Sequence, residues 1–123
     1  MRYNNYHKHT SYSNIKSLDV VTKPIEYIER AIELDGKNAI YFSTEHGYQG
    51  NIYESYSLCK EKNVKLIVGV EAYYVENRHE KDKSNYHLVI IAKNKEGYYE
   101  LNDLLTESNL TGLYYKPRID DEL

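Results

Sequence analysis

The stretch AIYFSTEHG, residues 39–47, decides the fold that we predict for this chain. Its first five residues form an almost fully apolar run, which is typical of a short strand covered on both faces. Thr44, Glu45 and His46 follow at the carboxyl end of that strand, and Gly47 permits a tight turn. The stretch therefore predicts a buried strand that carries polar side chains to one edge of a sheet.

The segments around this strand alternate between extended and helical patterns. We predict strands over residues 2–7, 64–75 and 87–92, and helices over 24–35, 51–61 and 94–106, with Thr22 and Asn94 as caps. The residues expected to face the core from the helices are Ile25, Ile28, Ala31, Ile32, Ile52, Tyr56, Cys59, Tyr98, Leu101 and Leu105. We expect residues 76–85 to form a charged, solvated loop with His79 on the surface, and the tail from Asn109 has no clear periodicity. Strands that alternate with helices predict an α/β fold with mostly parallel strands and right-handed crossovers.

Composition limits the classes of function that this chain can have. Its 123 residues suffice for one small domain, and a net charge of -3 argues against a general nucleic-acid-binding surface. Phosphate chemistry stays open, because a bound metal supplies its own positive charge. The single cysteine, Cys59, excludes an intrachain disulfide and fits a reducing compartment. No apolar run is long enough to cross a membrane, so we expect a cytoplasmic protein without a membrane partner.

Imidazoles and carboxylates recur where the predicted strands end. His7 and His9 share one face of an extended segment, because alternate side chains of a strand point the same way. His46 follows the second strand, Glu71 lies near the end of the third, and Asp19 lies in the loop after the first. Nitrogen and oxygen ligands without a thiolate cluster suit Zn²⁺, Mn²⁺ or Fe. The alternative is a set of solvated surface histidines.

Five motifs in chain order resemble the PHP (polymerase and histidinol phosphatase) domain, in the form found at the N-terminus of bacterial and phage DNA polymerase III alpha subunits. They are residues 7–13, 44–47, 69–73, 86–94 and 112–120. The last motif, which contains Tyr-Tyr-Lys-Pro-Arg-Ile-Asp, points to the polymerase branch rather than to the small-molecule phosphatases.

The resemblance implies a distorted (β/α)₇ barrel with up to three divalent metal ions at one rim. The ligands it implies are His7, His9, Asp19, His46, Glu71 and His87. Glu45 replaces the aspartate usual in the second motif, so we expect it to lie outside the ligand set or to contribute marginally. No separate side chain is needed as a nucleophile.

Three of the implied ligands have a structural alternative. Asp19 could be a turn residue, Glu71 a solvated strand end, and His87 a core histidine. His87 also stands at the beginning of its predicted strand, which does not fit a rim built from carboxyl ends.

The chain is about half as long as a seven-stranded barrel requires, and it contains no Asp-x-His motif of the kind that ends the family's ligand set. We therefore expect residues 1–123 to form a single partial PHP domain, the N-terminal half of the barrel, with no second domain. The implied function is a metal-dependent phosphoesterase site, acting on a DNA 3′ end or a pyrophosphate-like product, within a replicative DNA polymerase.

The expected partners are DNA and the remaining polymerase chain or replisome subunits. We expect weak metal binding and little turnover from this chain alone. The alternatives are a non-catalytic, metal-stabilised scaffold for a split polymerase, and a phosphatase of the histidinol-phosphate type.

Overall fold

The computed structural model describes residues 5–13 and 22–123 and has an α/β fold, as predicted. Its strands are β1 (Ile40–His46), β2 (Lys65–Tyr74), β3 (Tyr86–Ile91), β4 (Leu113–Tyr114) and β5 (Lys116–Ile119). Its helices are α1 (Pro24–Asp35), α2 (Ile52–Glu61) and α3 (Lys95–Leu110), and short 3₁₀ turns cover Ser11–Ser13 and Gly36–Asn38. Among these residues, no helix is long and apolar enough to cross a membrane.

The sheet is built on β2, which pairs along both of its edges. β1 pairs with it in parallel, from Ile40 opposite Lys65 to His46 opposite Glu71. β5 continues in parallel along the same edge, where Tyr73 lies opposite Arg118, while β3 runs antiparallel along the other edge. β4 is antiparallel to β5. The three interleaved helices and the parallel core of the sheet are consistent with part of a PHP barrel, which is not closed within the described residues.

Local sequence signals set the helix ends. Pro24 begins α1, where its missing N–H costs nothing. Thr22 was predicted as the N-cap, but the N-cap is Lys23. The backbone N–H of Lys23 donates to the Glu26 carboxylate at 2.6 Å. The Asn94 side chain caps α3 as predicted, accepting from the Gly97 N–H at 2.8 Å, and the helix continues to Leu110, four residues further than expected.

Two apolar clusters pack the helices against the face of the sheet that carries Tyr41 and Val70. α1 and α2 pack Ile28 and Cys59 against Tyr41 of β1. α3 packs Leu101 against Val70 of β2 and Ile119 of β5. The prediction that Tyr56 points inward is wrong, since it is 56% exposed, and Ser55 and Cys59 occupy the buried side of α2 instead.

Two extended segments differ from the sequence prediction. Within the predicted first strand, residues 5–7 are described and form no strand. Conversely, the tail without periodicity forms β4 and β5.

Arginines tie the loop after β2 to β5, although this loop was predicted to be solvated throughout. The Arg78 guanidinium lies 2.5 Å from the Asp120 carboxylate, and both side chains are buried. The Arg118 guanidinium donates to the carbonyls of Arg78, Glu80 and Asp82. His79 is exposed, as predicted.

Candidate metal centre

Strand register places three of the predicted ligands on one face of the sheet. His46 lies opposite Glu71 in the β1–β2 pair, and Tyr73 lies opposite His87 in the β2–β3 pair. Glu71 and Tyr73 are two residues apart on β2, so their side chains share a face. Because β3 is antiparallel, His87 near its start lies beside the carboxyl end of β2. The antiparallel strand thus explains how a strand-start histidine reaches the rim.

The segment before the first 3₁₀ turn brings the other two histidines to this face. The Lys8 N–H donates to Thr44 Oγ1 at 2.8 Å, and the Thr44 hydroxyl donates back to the Lys8 carbonyl at 3.1 Å. The Thr10 N–H donates to both carboxylate oxygens of Glu45, at 3.1 and 3.0 Å. His9 lies between these two anchors and His7 directly precedes the first, and their Nε2 atoms lie 2.9 Å apart.

Glu71 is the centre on which the four predicted histidine ligands converge. Its Oε2 atom lies 2.8 Å from Nε2 of His7, 2.8 Å from Nε2 of His9 and 3.1 Å from Nε2 of His46. Its other oxygen, Oε1, lies 2.9 Å from Nδ1 of His87. The Glu71 side chain is only 3% exposed and that of His46 is 10% exposed. The solvated strand end considered for Glu71 is therefore wrong.

A relay of hydrogen bonds fixes the tautomer of His9. The Ser13 hydroxyl donates its single proton to the Glu45 carboxylate, and the backbone N–H of His46 donates to Ser13 Oγ at 3.2 Å. The contact of 2.9 Å between His9 Nδ1 and Ser13 Oγ must then be a bond that the imidazole donates. With its proton on Nδ1, a neutral His9 presents an unprotonated Nε2 to Glu71, which is the form that binds a metal.

Burial keeps the inner imidazoles neutral. It lowers the pKa of His46 to about 4 and also lowers that of His9, in both cases against the opposing charge of Glu71. Burial would raise the pKa of Glu71, but the contact with His7 and the electrostatic effect of the surrounding imidazoles outweigh it and lower that pKa. Neutral imidazoles around an ionised carboxylate are the protonation states that metal ligation requires.

The arrangement fits a cation on one specific ground. Glu71 Oε2 is buried and, among the described residues, accepts no hydrogen bond of normal geometry, although three imidazole nitrogens lie within 3.1 Å of it. An acceptor nitrogen and a carboxylate oxygen at 2.8 Å repel each other unless a positive charge lies with them. Two groups that share Glu71 could hold metal ions: His7 with His9, and His46 with His87. Imidazole and carboxylate donors suit Zn²⁺, Mn²⁺ or Fe.

The structure brings together five of the six ligands implied by the sequence motifs, and the sixth, Asp19, lies outside the described residues. The Glu45 carboxylate contacts Thr10, Ser13 and Asn51 instead of the metal-binding atoms. Ser13 and Tyr73 lie within the sequence motifs, but sequence reasoning gave neither of them a role at the site; both contact the histidines directly. The alternation of side chains along β2 was the available signal for Tyr73.

Comparison with known proteins agrees with this geometry. The PHP domain family pattern matches residues 5–123. Similar proteins include the DNA polymerase III subunit alpha of Aquifex aeolicus, 38% identical over 95% of this chain, and that of Treponema pallidum, 30% identical over 100% of it. The subunit of Helicobacter pylori is 37% identical over 95% of the chain. The chain spans 11%, 11% and 10% of the lengths of these relatives, respectively. The chain therefore belongs to the PHP domain family.

Proposed function

We propose that this chain is the N-terminal PHP-domain portion of a DNA polymerase III alpha-type replicative polymerase and carries a metal-dependent phosphoesterase site. The observation that carries the proposal is the convergence of four imidazoles on the buried carboxylate of Glu71, within 3.1 Å. The proposed ligands of the divalent metal ions are His7, His9, Asp19, His46, Glu71 and His87.

In the proposed site, the metal would supply the chemistry and the side chains would hold the metal. A bound divalent metal would lower the pKa of a coordinated water and neutralise the oxygens of a phosphate ester. Glu71 belongs to both groups of candidate ligands, so it would be shared between metal positions. Ser13 holds His9 in the metal-binding tautomer. No side chain of the chain is required as a nucleophile.

DNA is the proposed substrate because the relatives are DNA polymerase III alpha subunits. The reaction would be removal of nucleotides from a 3′ end, or hydrolysis of a pyrophosphate-like product, in the cytoplasm. The net charge of -3 offers no general attraction to DNA, so phosphate contact would depend on the metal centre. The remaining polymerase chain and replisome subunits are the proposed protein partners.

A second candidate, a non-catalytic scaffold stabilised by metal, is favoured by the connectivity of the site. The five described ligands come from the segment before the first 3₁₀ turn, from β1, from β2 and from β3. A metal bound to them would cross-link four separate parts of the chain, which stabilises a fold whether or not it hydrolyses anything.

The test combines metal titration with DNA binding. Mn²⁺ and Zn²⁺ are titrated calorimetrically into the tag-free chain, His9→Ala and His79→Ala, the last being an exposed histidine outside the cluster. Binding of a 5′-labelled oligonucleotide and its shortening from the 3′ end are then followed with the protein in excess. Tm with and without metal, and phosphate release from histidinol phosphate, are measured on the same proteins.

Four outcomes separate the candidates. Metal binding that survives in His79→Ala and disappears in His9→Ala, together with DNA binding that requires Mn²⁺ and His9, supports the phosphoesterase site even if turnover is slow. A metal-induced rise in Tm without metal-dependent DNA binding supports the scaffold. Hydrolysis of histidinol phosphate without any response to DNA supports a small-molecule phosphatase. Failure of the parent chain to bind metal overturns the proposal.

A further inference from the structure

A column of stacked side chains runs from the proposed metal ligands to a lysine. The imidazoles of His9 and His46 stack with ring centroids 4.8 Å apart and planes at 16°. His46 stacks in turn on the Tyr73 ring, at 5.0 Å and 18°. The Lys116 ammonium lies over that same ring, 4.4 Å from its centroid. A positive charge is thus placed one aromatic ring away from the cluster.

The fold holds this lysine in place. Lys116 begins β5, and the pairing of Arg118 with Tyr73 fixes β5 along the edge of β2 next to His46. Arg118 is buried and donates to four carbonyl groups, which secures the strand. Gly47, at φ 59°, leaves room for Tyr73 and Pro117: a Cβ there would lie 3.0 Å from the Tyr73 ring and 3.2 Å from Pro117.

Lysines over tyrosines occur elsewhere in the chain, so stacking alone does not distinguish Lys116. Lys95 lies 5.7 Å from the Tyr99 centroid on α3, and Lys83 lies 4.3 Å from that of Tyr115. Neither tyrosine contacts a histidine among the described residues. Tyr73 contacts two, His46 and His87, which connects the Lys116 charge to the candidate metal centre.

The Lys116 ammonium group is also available to bind an anion. Among the described residues, no carboxylate lies within ion-pair distance of its ammonium group, whereas Lys62 pairs with Glu29. The ring of Tyr73 supports the lysine without supplying a counterion, because a cation–π contact leaves the N–H donors free for another acceptor.

We propose that Lys116, supported by Tyr73, contacts the phosphate of the substrate beside the metal centre. The inference rests on the proposed function and names a substrate-binding residue for it. A phosphate ester presents two or more charged oxygens, and metal ions that neutralise one side leave another oxygen for a cation. An ammonium group binds such an oxygen as a compact point charge with three donors.

The test measures metal and phosphate binding separately. The chain, Lys116→Gln, Lys116→Arg and Lys95→Gln are each titrated with Mn²⁺. Inorganic phosphate and thymidine 5′-monophosphate are then titrated into each Mn²⁺-loaded protein, with binding followed by calorimetry and by ³¹P relaxation. Lys95→Gln is the matched control, since it removes a lysine that also lies over a tyrosine but belongs to α3.

We expect Lys116→Gln to leave Mn²⁺ affinity and Tm unchanged and to weaken binding of both phosphate ligands about tenfold, the effect of losing one hydrogen bond between charged groups. Lys116→Arg should recover most of the affinity, and Lys95→Gln should match the parent chain. Unchanged phosphate affinity in Lys116→Gln, or no phosphate binding by the Mn²⁺-loaded parent, would overturn this inference alone. Absence of Mn²⁺ binding by the parent would overturn the proposed function and this inference with it.

Discussion

Replacing Glu45 with glutamine tests how the histidine-bearing segment is attached to the sheet. The buried Glu45 carboxylate accepts hydrogen bonds from the Thr10 N–H, the Thr10 hydroxyl, the Ser13 hydroxyl and the Asn51 amide. Every one of these partners is a donor. Glu45→Gln keeps the shape of the side chain but turns one acceptor oxygen into an NH₂ group that faces donors.

The size of the effect follows from these contacts. If the new NH₂ group takes the place of Oε1, it faces the Thr10 hydroxyl and the Asn51 amide; in the place of Oε2, it faces the Ser13 hydroxyl. At least one hydrogen bond to a charged acceptor is lost in either orientation, at about 1.5–3 kcal/mol, and a buried donor is left unpaired. We therefore expect the free energy of unfolding to fall by about 2–4 kcal/mol, a large share of the roughly 5–15 kcal/mol typical of a small domain.

The assay is urea unfolding of the metal-free chain in EDTA, followed by far-UV circular dichroism because the chain has no tryptophan. With a slope of roughly 2 kcal/mol per molar urea, the midpoint should fall by about 1–2 M. Glu61→Gln is the control, since Glu61 is exposed and should change stability by less than about 0.5 kcal/mol. A Glu45→Gln midpoint equal to that of the control would refute the assignment of Glu45 as the anchor.

Four further predictions follow from local contacts. Ser13→Ala removes the acceptor that fixes the His9 tautomer, so Zn²⁺ affinity measured by competition with a chelator should fall about 10- to 100-fold; unchanged affinity would contradict the relay. Gly69→Ala would place a Cβ 2.5 Å from the Ile90 carbonyl, so we expect β2 and β3 to separate locally, with faster amide exchange across that pair and a lower Tm. Burial raises the pKa of the Cys59 thiol to about 11 from 9.0, so iodoacetamide should alkylate the folded chain slowly at pH 8.5 and the urea-unfolded chain rapidly. The same shift means that the folded state retains the thiol proton that the unfolded state loses, so the Cys59 contribution to stability should decline as pH rises from about 9 to 11.

Sequence patterns predicted the elements whose signals are local. β1 and β2 contain apolar runs, and α3 has its own cap in Asn94, so these elements form where expected, although β1 and α3 end later than predicted. β4 and β5 were missed because they have two and four residues and owe their position to tertiary contacts of Arg118. Tyr56 was misassigned because apolar periodicity does not distinguish a core tyrosine from a surface one.

Parts of the candidate site were likewise predictable from the sequence and parts were not. Motif resemblance identified the histidines and Glu71, whose convergence the structure describes. Motif resemblance did not identify the direction of β3, because that direction depends on strand pairing. The antiparallel direction is what brings His87 to the rim. Nor did the resemblance reveal the roles of Ser13 and Tyr73, because a hydrogen-bond relay and a ring stack depend on which segments meet in three dimensions.

The most direct test of the central claim is elemental analysis of the purified, tag-free chain beside Glu71→Gln and His79→Ala, after dialysis. Glu71→Gln preserves side-chain volume and removes the charge that all four clustered histidines contact. We predict bound Zn, Mn or Fe in the parent and in His79→Ala, and loss of that metal in Glu71→Gln while its circular dichroism spectrum stays that of a folded protein. A parent chain without metal, or a Glu71→Gln variant with the metal content of the parent, would contradict the account.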